Sequence, residues 1–224
     1  RNGMTIKAVF FDLFETLVTE FSGGERIAKP SYDFLEWLGI PNDEFKQEWS
    51  LRVQDRMMGR FEDYPSVLRD ILAKRGLPID EEKIEILHRQ RVEEKAIPFK
   101  RIDPRIPDML AHLKTRGIKL GLISNASAEE VVHWHDSELA PFFDDVLFSY
   151  EAGFAKPDER LFRLACERLN VDPAEALFVG DGGSDELAGA YRTGLHPVHA
   201  VWFHSRMDSP FEKVADPLMI MNMI

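Results

Sequence analysis

A chain of 224 residues that is 44% apolar and 30% charged can hold one α/β core plus a smaller second domain, with the balance of a globular protein. Its formal net charge of −11 disfavours nucleic acid and anionic membranes as partners, since both attract basic surfaces. The one cysteine, Cys166, cannot close an internal disulfide and suits a reducing cytoplasm, and no apolar run nears the roughly 18 residues of a membrane span.

Arg1-Asn2-Gly3 ahead of Met4 is expected to be an expression remnant, and no basic and apolar leader opens the chain. Ala8 to Phe11 is then a short apolar run of β-formers that stops at Asp12, as a buried parallel strand would. Ligands of open α/β sheets bind beyond the carboxyl ends of the strands, which puts Asp12 at the mouth of a site. Gly23 and Gly24 suit a hinge, and from about Glu25 to Lys100 the chain reads as helices with no parallel-strand signal. Ser31 is expected to cap a helix ending at Leu38, and Asn42 the next, where Phe45, Trp49, Val53 and Met57 share a face. A third helix runs from Ser66 to Arg75, and Asp80 caps a fourth with Ile84, Leu87 and Val92 on its edge. Four such helices make a small bundle. Arg52, Arg56 and Arg60 fall on the face away from Trp49 and Val53 and read as a solvated stripe, with contact to an anionic substrate as the alternative.

Met109, Leu110 and Leu113 mark a helix feeding a strand from Lys119 to Ser124. A helix from Ala128 to about His135, a strand at 146–149 and a helix from Pro157 to Leu169 follow, the last packing Cys166 among apolar neighbours. A strand from Ala176 to Val179, a helix from Ser184 to Thr193 and a strand from His196 to Phe203 complete the core. Strands alternating with helices predict a Rossmann-like α/β fold, a parallel right-handed sheet flanked by helices. His196, His199 and His204 read as ordinary half-buried residues, and the apolar ending from Pro217 shows no clear period.

Three later stretches stand, like Asp12, at or just past a strand end: Ser124-Asn125, Lys156-Pro157 and Asp181-Gly-Gly-Ser-Asp185. A carboxylate can be a covalent nucleophile where a cation screens its charge, and Asp12 is that candidate. Asp181 and Asp185 are candidates for a Mg²⁺ site beside it, because Mg²⁺ prefers oxygen ligands. Ser124 and the amides after it can donate hydrogen bonds to phosphoryl oxygens, and Lys156 can neutralise charge in a transition state. Singly, each has an ordinary reading as a helix cap, a surface lysine or a turn. Four together at strand ends favour one site.

Asp, Ser, Lys and a paired Asp, in that order from Val9 to about Gly194, resemble the haloacid dehalogenase superfamily of hydrolases. The resemblance implies an α/β core over 4–20 and 101–224, with a C1-type helical cap over 21–100 that closes on the site and chooses substrates. It implies Asp12, Ser124 and Lys156 as catalytic residues, with Thr16 and Asn125 at a small anionic substrate. It implies Mg²⁺ held by Asp12, the backbone carbonyl of Phe14, Asp181 and Asp185.

One position departs from the family. Its phosphatases carry an Asp two residues after the nucleophile as general acid and base, and here that residue is Phe14. Losing a general acid costs about 10²- to 10⁴-fold. Glu15 is one residue along, but adjacent side chains of an extended segment point opposite ways. An aromatic at this position looks like the L-2-haloacid dehalogenase branch, yet that branch has Ser-x-Asn before its last Asp and a Tyr where this chain has Phe162. The expectation is a Mg²⁺-dependent phosphatase acting on a small phosphorylated metabolite with a good leaving group, such as an acyl or aryl phosphate. A metal-free 2-haloacid dehalogenase is the alternative, and a weakly catalytic or non-catalytic phosphate-binding protein the second.

Overall fold

The computed structural model describes residues 5–29 and 32–224. In chain order, β1 (Ala8–Phe11) leads to an antiparallel pair, β2 (Phe21–Ser22) and β3 (Glu25–Arg26). Five helices follow: α1 (Phe34–Leu38), α2 (Asn42–Leu51), α3 (Val53–Met57), α4 (Tyr64–Lys74) and α5 (Glu81–Ala96). The remainder is α6 (Arg105–Thr115), β4 (Lys119–Ser124), β5 (Asp145–Phe148), α7 (Ser149–Ala152), α8 (Glu159–Leu169), β6 (Ala176–Gly180), α9 (Glu186–Thr193), β7 (His196–Ala200) and β8 (Lys213–Val214).

Six strands form one parallel sheet in the order β5-β4-β1-β6-β7-β8, the α/β architecture the alternation predicts. β1 is central because its four residues, Ala-Val-Phe-Phe, are buried on both faces. Val9 and Phe11 pack towards α6, and Ala8 and Phe10 towards α8 and α9. Burying a ring such as Phe10 is worth about 1.5–3 kcal/mol. The space for it comes from Gly121 on β4, where a Cβ would lie 2.5 Å from the Phe10 ring. Phe11 pairs with Leu122 and with Val179, so Asp12, Ser124 and Asp181 all emerge at the carboxyl edge of the sheet. The chain runs from β1 to β4 and β5 on one side, then crosses back to β6 on the other, and this reversal makes the switch point where such sheets bind ligands.

Helices α1, α2, α4 and α5 gather round an apolar cluster of their own, centred on Ile40, Leu68, Ile71, Leu72, Ile84 and Leu87. Asp80 caps α5 by accepting from the amides of Glu82 and Lys83. Asn42 does not cap α2: its side chain accepts from the Phe34 amide instead. Ser31 lies outside the described residues, and α1 is capped by Asp33. The helix expected to run from Asn42 to Gly59 breaks at Arg52, whose guanidinium turns to Glu48 and Asp70.

Residues 128–135 hold one short 3₁₀ turn, Ala128–Glu130, fixed by a capping box between Ser127 and Glu130. The chain then folds into turns that bury Trp134. The strand expected from His196 to Phe203, β7, stops at Ala200, and β8 pairs beyond it. The apolar ending also forms a 3₁₀ segment, Pro217–Met223, that packs on α6 and buries Ile220 and Met223. Cys166 is buried in α8, and burial pushes its thiol up to about 12. Among the described residues no helix is long and apolar enough to cross a membrane.

Candidate active site

The carboxyl edge of the sheet draws three carboxylates and one lysine together. Asp12 follows β1, Asp181 follows β6, and Glu186 opens α9, and their oxygens lie within 4.8 Å of one another. Lys156 reaches them from the loop before α8. Its three ammonium protons are all placed: one on Asp12 Oδ1 at 2.9 Å, one on Glu186 Oε1 at 2.7 Å, one on the Ile123 carbonyl at 2.8 Å. Gly180 makes room for this, since a Cβ there would collide with the Glu186 carboxylate.

The electrostatics follow from burial. Desolvation raises the Asp12 carboxyl above the ordinary carboxylate range; Lys156 opposes this and Asp181 reinforces it. Glu186 is pushed well above its usual value by burial and then by the charge of Asp12, with Lys156 again opposing. Burial would lower the Lys156 ammonium, but Asp12 and Glu186 outweigh it and hold it above its ordinary value. Three carboxylates to one lysine leave an excess of negative charge, and hard oxygen donors at this spacing fit a divalent cation such as Mg²⁺.

Asp12 is held asymmetrically. Both hydrogen bonds to its carboxylate, from the Leu13 amide at 2.8 Å and from Lys156, go to Oδ1. Among the described residues Oδ2 accepts none, so one oxygen is anchored and the other presented.

A family model for haloacid dehalogenase-like hydrolases matches residues 6–191. The chain belongs to that family. A glyceraldehyde 3-phosphate phosphatase of Methanopyrus kandleri is 27% identical over 196 residues, covering 86% of this chain and 83% of the relative. Among solved structures, a 2-haloacid dehalogenase from Pseudomonas syringae pv. tomato matches with a TM-score of 0.69 at 24% identity, over 97% of both chains. A haloacid dehalogenase family enzyme from Bacteroides thetaiotaomicron, in complex with magnesium and inorganic phosphate, matches with a TM-score of 0.58 at 19% identity, over 92% of this chain and 97% of that one.

Within this haloacid dehalogenase fold the other expected site residues divide. Ser124 and Thr16 are fully buried, and neither hydroxyl has a hydrogen-bond partner; the Thr16 carbonyl accepts from the Trp202 indole at 2.8 Å. Asn125, expected at the substrate, is instead a clamp. Its Oδ1 accepts from the Lys156 amide at 2.7 Å and its Nδ2 donates to the Lys156 carbonyl at 3.0 Å. That clamp fixes the lysine loop, and α8 begins after it at Glu159, capped by Asp158, rather than at Pro157.

Asp185 is also corrected. Ser184 and Asp185 take left-handed backbone angles, φ 54° and 52°, which swing the Asp185 side chain out to 72% exposure beside Arg192. The next residue, Glu186, then points inward at 1% exposure. The signal was there in two adjacent acids; only the turn chooses between them.

Two histidines read as structural support Asp181. Its Oδ2 is 2.8 Å from His204 Nε2, and because His204 Nδ1 accepts from the Arg206 amide, Nε2 is the protonated nitrogen. His199, fully buried, faces the Asp181 carbonyl through Nε2 and Ser209 through Nδ1, both at 2.9 Å. Burial holds its imidazole below the usual value.

The Phe14 ring packs edge-on against Phe99 and lies 5.7 Å from Lys95 Nζ. Glu15 cannot take over the missing acid from its place here. Its carboxylate is spent on its own loop, accepting from the Thr19 hydroxyl at 2.6 Å and the Glu20 amide at 2.9 Å. Phe162 packs edge-on against Phe178 in the core.

Proposed function

We propose that this hydrolase is a Mg²⁺-dependent phosphatase acting on a small phosphorylated metabolite with a good leaving group, with Asp12 as nucleophile. The observation that carries the reading is the carboxylate cluster of Asp12, Asp181 and Glu186 around Lys156, with Asp12 Oδ2 left clear. Asp12, Asp181, Glu186 and the Phe14 carbonyl would hold the ion, which when bound screens the phosphoryl and carboxylate charges from one another. Residues 21–100 would act as a cap over the site.

Asp12 Oδ2 attacks phosphorus while the bond to the leaving oxygen breaks, giving an aspartyl phosphate that water then cleaves to phosphate. Lys156 fixes the angle of the attacking carboxylate and offsets charge on the transferring group. Ser124 and Thr16, buried hydroxyls without protein partners, suit phosphoryl oxygens. Nothing at position 14 can protonate the leaving oxygen, so the leaving group must depart as a weak base. Acyl and aryl phosphates meet that requirement, and the relative's name places a phosphatase among similar chains.

Phe14 itself favours a second reading, a 2-haloacid dehalogenase, because halide needs no acid to leave. The acidic edge argues against it: Glu186 and Asp181 beside Asp12 would repel a carboxylate substrate unless a cation intervened. Purified protein assayed with Mg²⁺ and with EDTA on acetyl phosphate, p-nitrophenyl phosphate and L-2-chloropropionate decides. Metal-dependent phosphate release supports the phosphatase, and chloride release indifferent to EDTA overturns it.

A further inference from the structure

A cavity of about 790 Å³ lies where the helices meet the sheet edge, walled by Phe34, Phe45, Trp49 and Tyr64. Its remaining lining includes Glu20, from the chain after β1, and Glu130, from the loop after β4. Those are the strands whose ends carry Asp12 and Ser124. Lys95 lines the same cavity and reaches to within 5.7 Å of the Phe14 ring. Its volume is that of a small-molecule site.

The charge of the lining is unlike that of the chain. Five cations, Arg26, Lys46, Arg56, Arg91 and Lys95, face three carboxylates, in a protein with net charge −11. Most of these cations are matched. Arg91 pairs with Glu129 at 2.7 Å, Lys95 with Glu20 at 2.8 Å, and Arg26 with Glu20 at 3.5 Å. Two have no carboxylate partner among the described residues: Lys46, which is exposed, and Arg56, which is buried. Arg56 is 7% exposed, its guanidinium stacks 3.7 Å over the Trp49 ring, and its one hydrogen bond is a 3.4 Å contact with the Trp49 carbonyl. Its Nε is buried with no acceptor among the described residues. The arginine stripe read as solvated is therefore solvated only at Arg60.

Glu130 and Glu129 act on Arg56 only through space, and a buried guanidinium with no direct ion pair and an unpartnered Nε is costly unless a ligand supplies the acceptor. With its Cζ over the Trp49 ring and Nε without an acceptor, Arg56 has N–H groups free for an oxyanion, and its fork suits carboxylate or phosphate. We propose that this cavity receives the leaving half of the substrate, an apolar or aromatic body carrying a second oxyanion, carboxylate or phosphate, that Arg56 binds. This rests on the phosphatase reading, and names its substrate class.

The test compares phenyl phosphate with 4-carboxyphenyl phosphate and with 1,4-phenylene bisphosphate on the wild-type protein, and titrates 4-hydroxybenzoate and phenol by calorimetry. The expected result is a KM about 10- to 100-fold lower for the doubly charged esters, the size of a charged hydrogen bond, and binding of 4-hydroxybenzoate tighter than phenol by a similar factor. The lower KM of the two charged esters identifies the second oxyanion as carboxylate or phosphate. Arg56→Met should erase the preference and Arg56→Lys restore part of it. Equal KM values for charged and uncharged esters, with no preference for 4-hydroxybenzoate, overturn the proposal from wild-type data alone. Binding of 4-hydroxybenzoate that depends on Arg56, without turnover of any ester, would keep the pocket and remove the phosphatase reading.

Discussion

The sheet edge and the helical cavity above it handle buried charge in opposite ways. At the edge, Lys156 serves Asp12 and Glu186 with Asp181 close by, so negative charge is in excess. In and beside the cavity, Glu20, Glu129 and Glu130 are each met by Arg or Lys, while the buried Arg56 guanidinium has no carboxylate within ion-pair distance among the described residues. A matched buried pair is structural, since its charges already satisfy one another. An unmatched one leaves a balance that a ligand would complete, on the proposed reading a cation with a phosphoryl group at the edge and an oxyanion in the cavity.

The largest expected effect tests the edge. Asp12→Asn removes the carboxylate oxygen presented at the edge and should lower phosphate release by about 10⁴-fold or more. Circular dichroism should still report a folded chain, because Asn keeps the shape and can accept from Lys156. Next comes Phe14→Asp. It should raise turnover of alkyl phosphates by up to about 10²- to 10⁴-fold and change acyl phosphates much less. Side-by-side kcat values on glycerol phosphate and acetyl phosphate measure the difference. An equal change on both would show that protonation of the leaving group is not what position 14 lacks.

The matched side of the comparison should show in stability. Burial raises Glu130, but Lys95 and Arg91 outweigh it and hold its carboxyl at about 2. A carboxyl depressed this way stabilises the fold above its unfolded value near 4.5, and the contribution is lost as pH falls towards 2. A drop of that size is worth about 3 kcal/mol. Urea unfolding of wild type and Glu130→Gln should therefore differ by a few kcal/mol at pH 7 and converge as the pH approaches 2. A difference independent of pH would assign the cost to the lost capping box instead.

The smallest contrast separates two neighbours. Glu186→Gln should raise the Mg²⁺ concentration for half-maximal activity by at least about 10-fold, whereas Asp185→Asn, on an exposed side chain, should leave it almost unchanged. Activity titrated against Mg²⁺ reads both, and the reverse order would return Asp185 to the site.

Much of this molecule was legible in its sequence. Apolar runs buried on both faces write a parallel strand directly, so Ala8–Phe11, Lys119–Ser124 and Ala176–Gly180 were visible, and with them the strand ends that carry Asp12, Ser124 and Asp181. Asp80 as a cap and the apolar stripe of α4 were equally plain, because capping and helical periodicity are local, while α5 showed a thinner edge of which Ile84 and Leu87 are buried. What tertiary structure alone decided is everything that depends on direction. A left-handed turn exchanged Asp185 for Glu186. Asn125 became the clamp on Lys156 because a loop 31 residues away lies beside it. His199 and His204 gained their purpose only when β7 and the chain after it came beside β6. Arg56 read as surface because spacing fixes the face a side chain occupies, while burial depends on what packs over that face, and neither Trp49 nor the opposing loop declares that in one dimension.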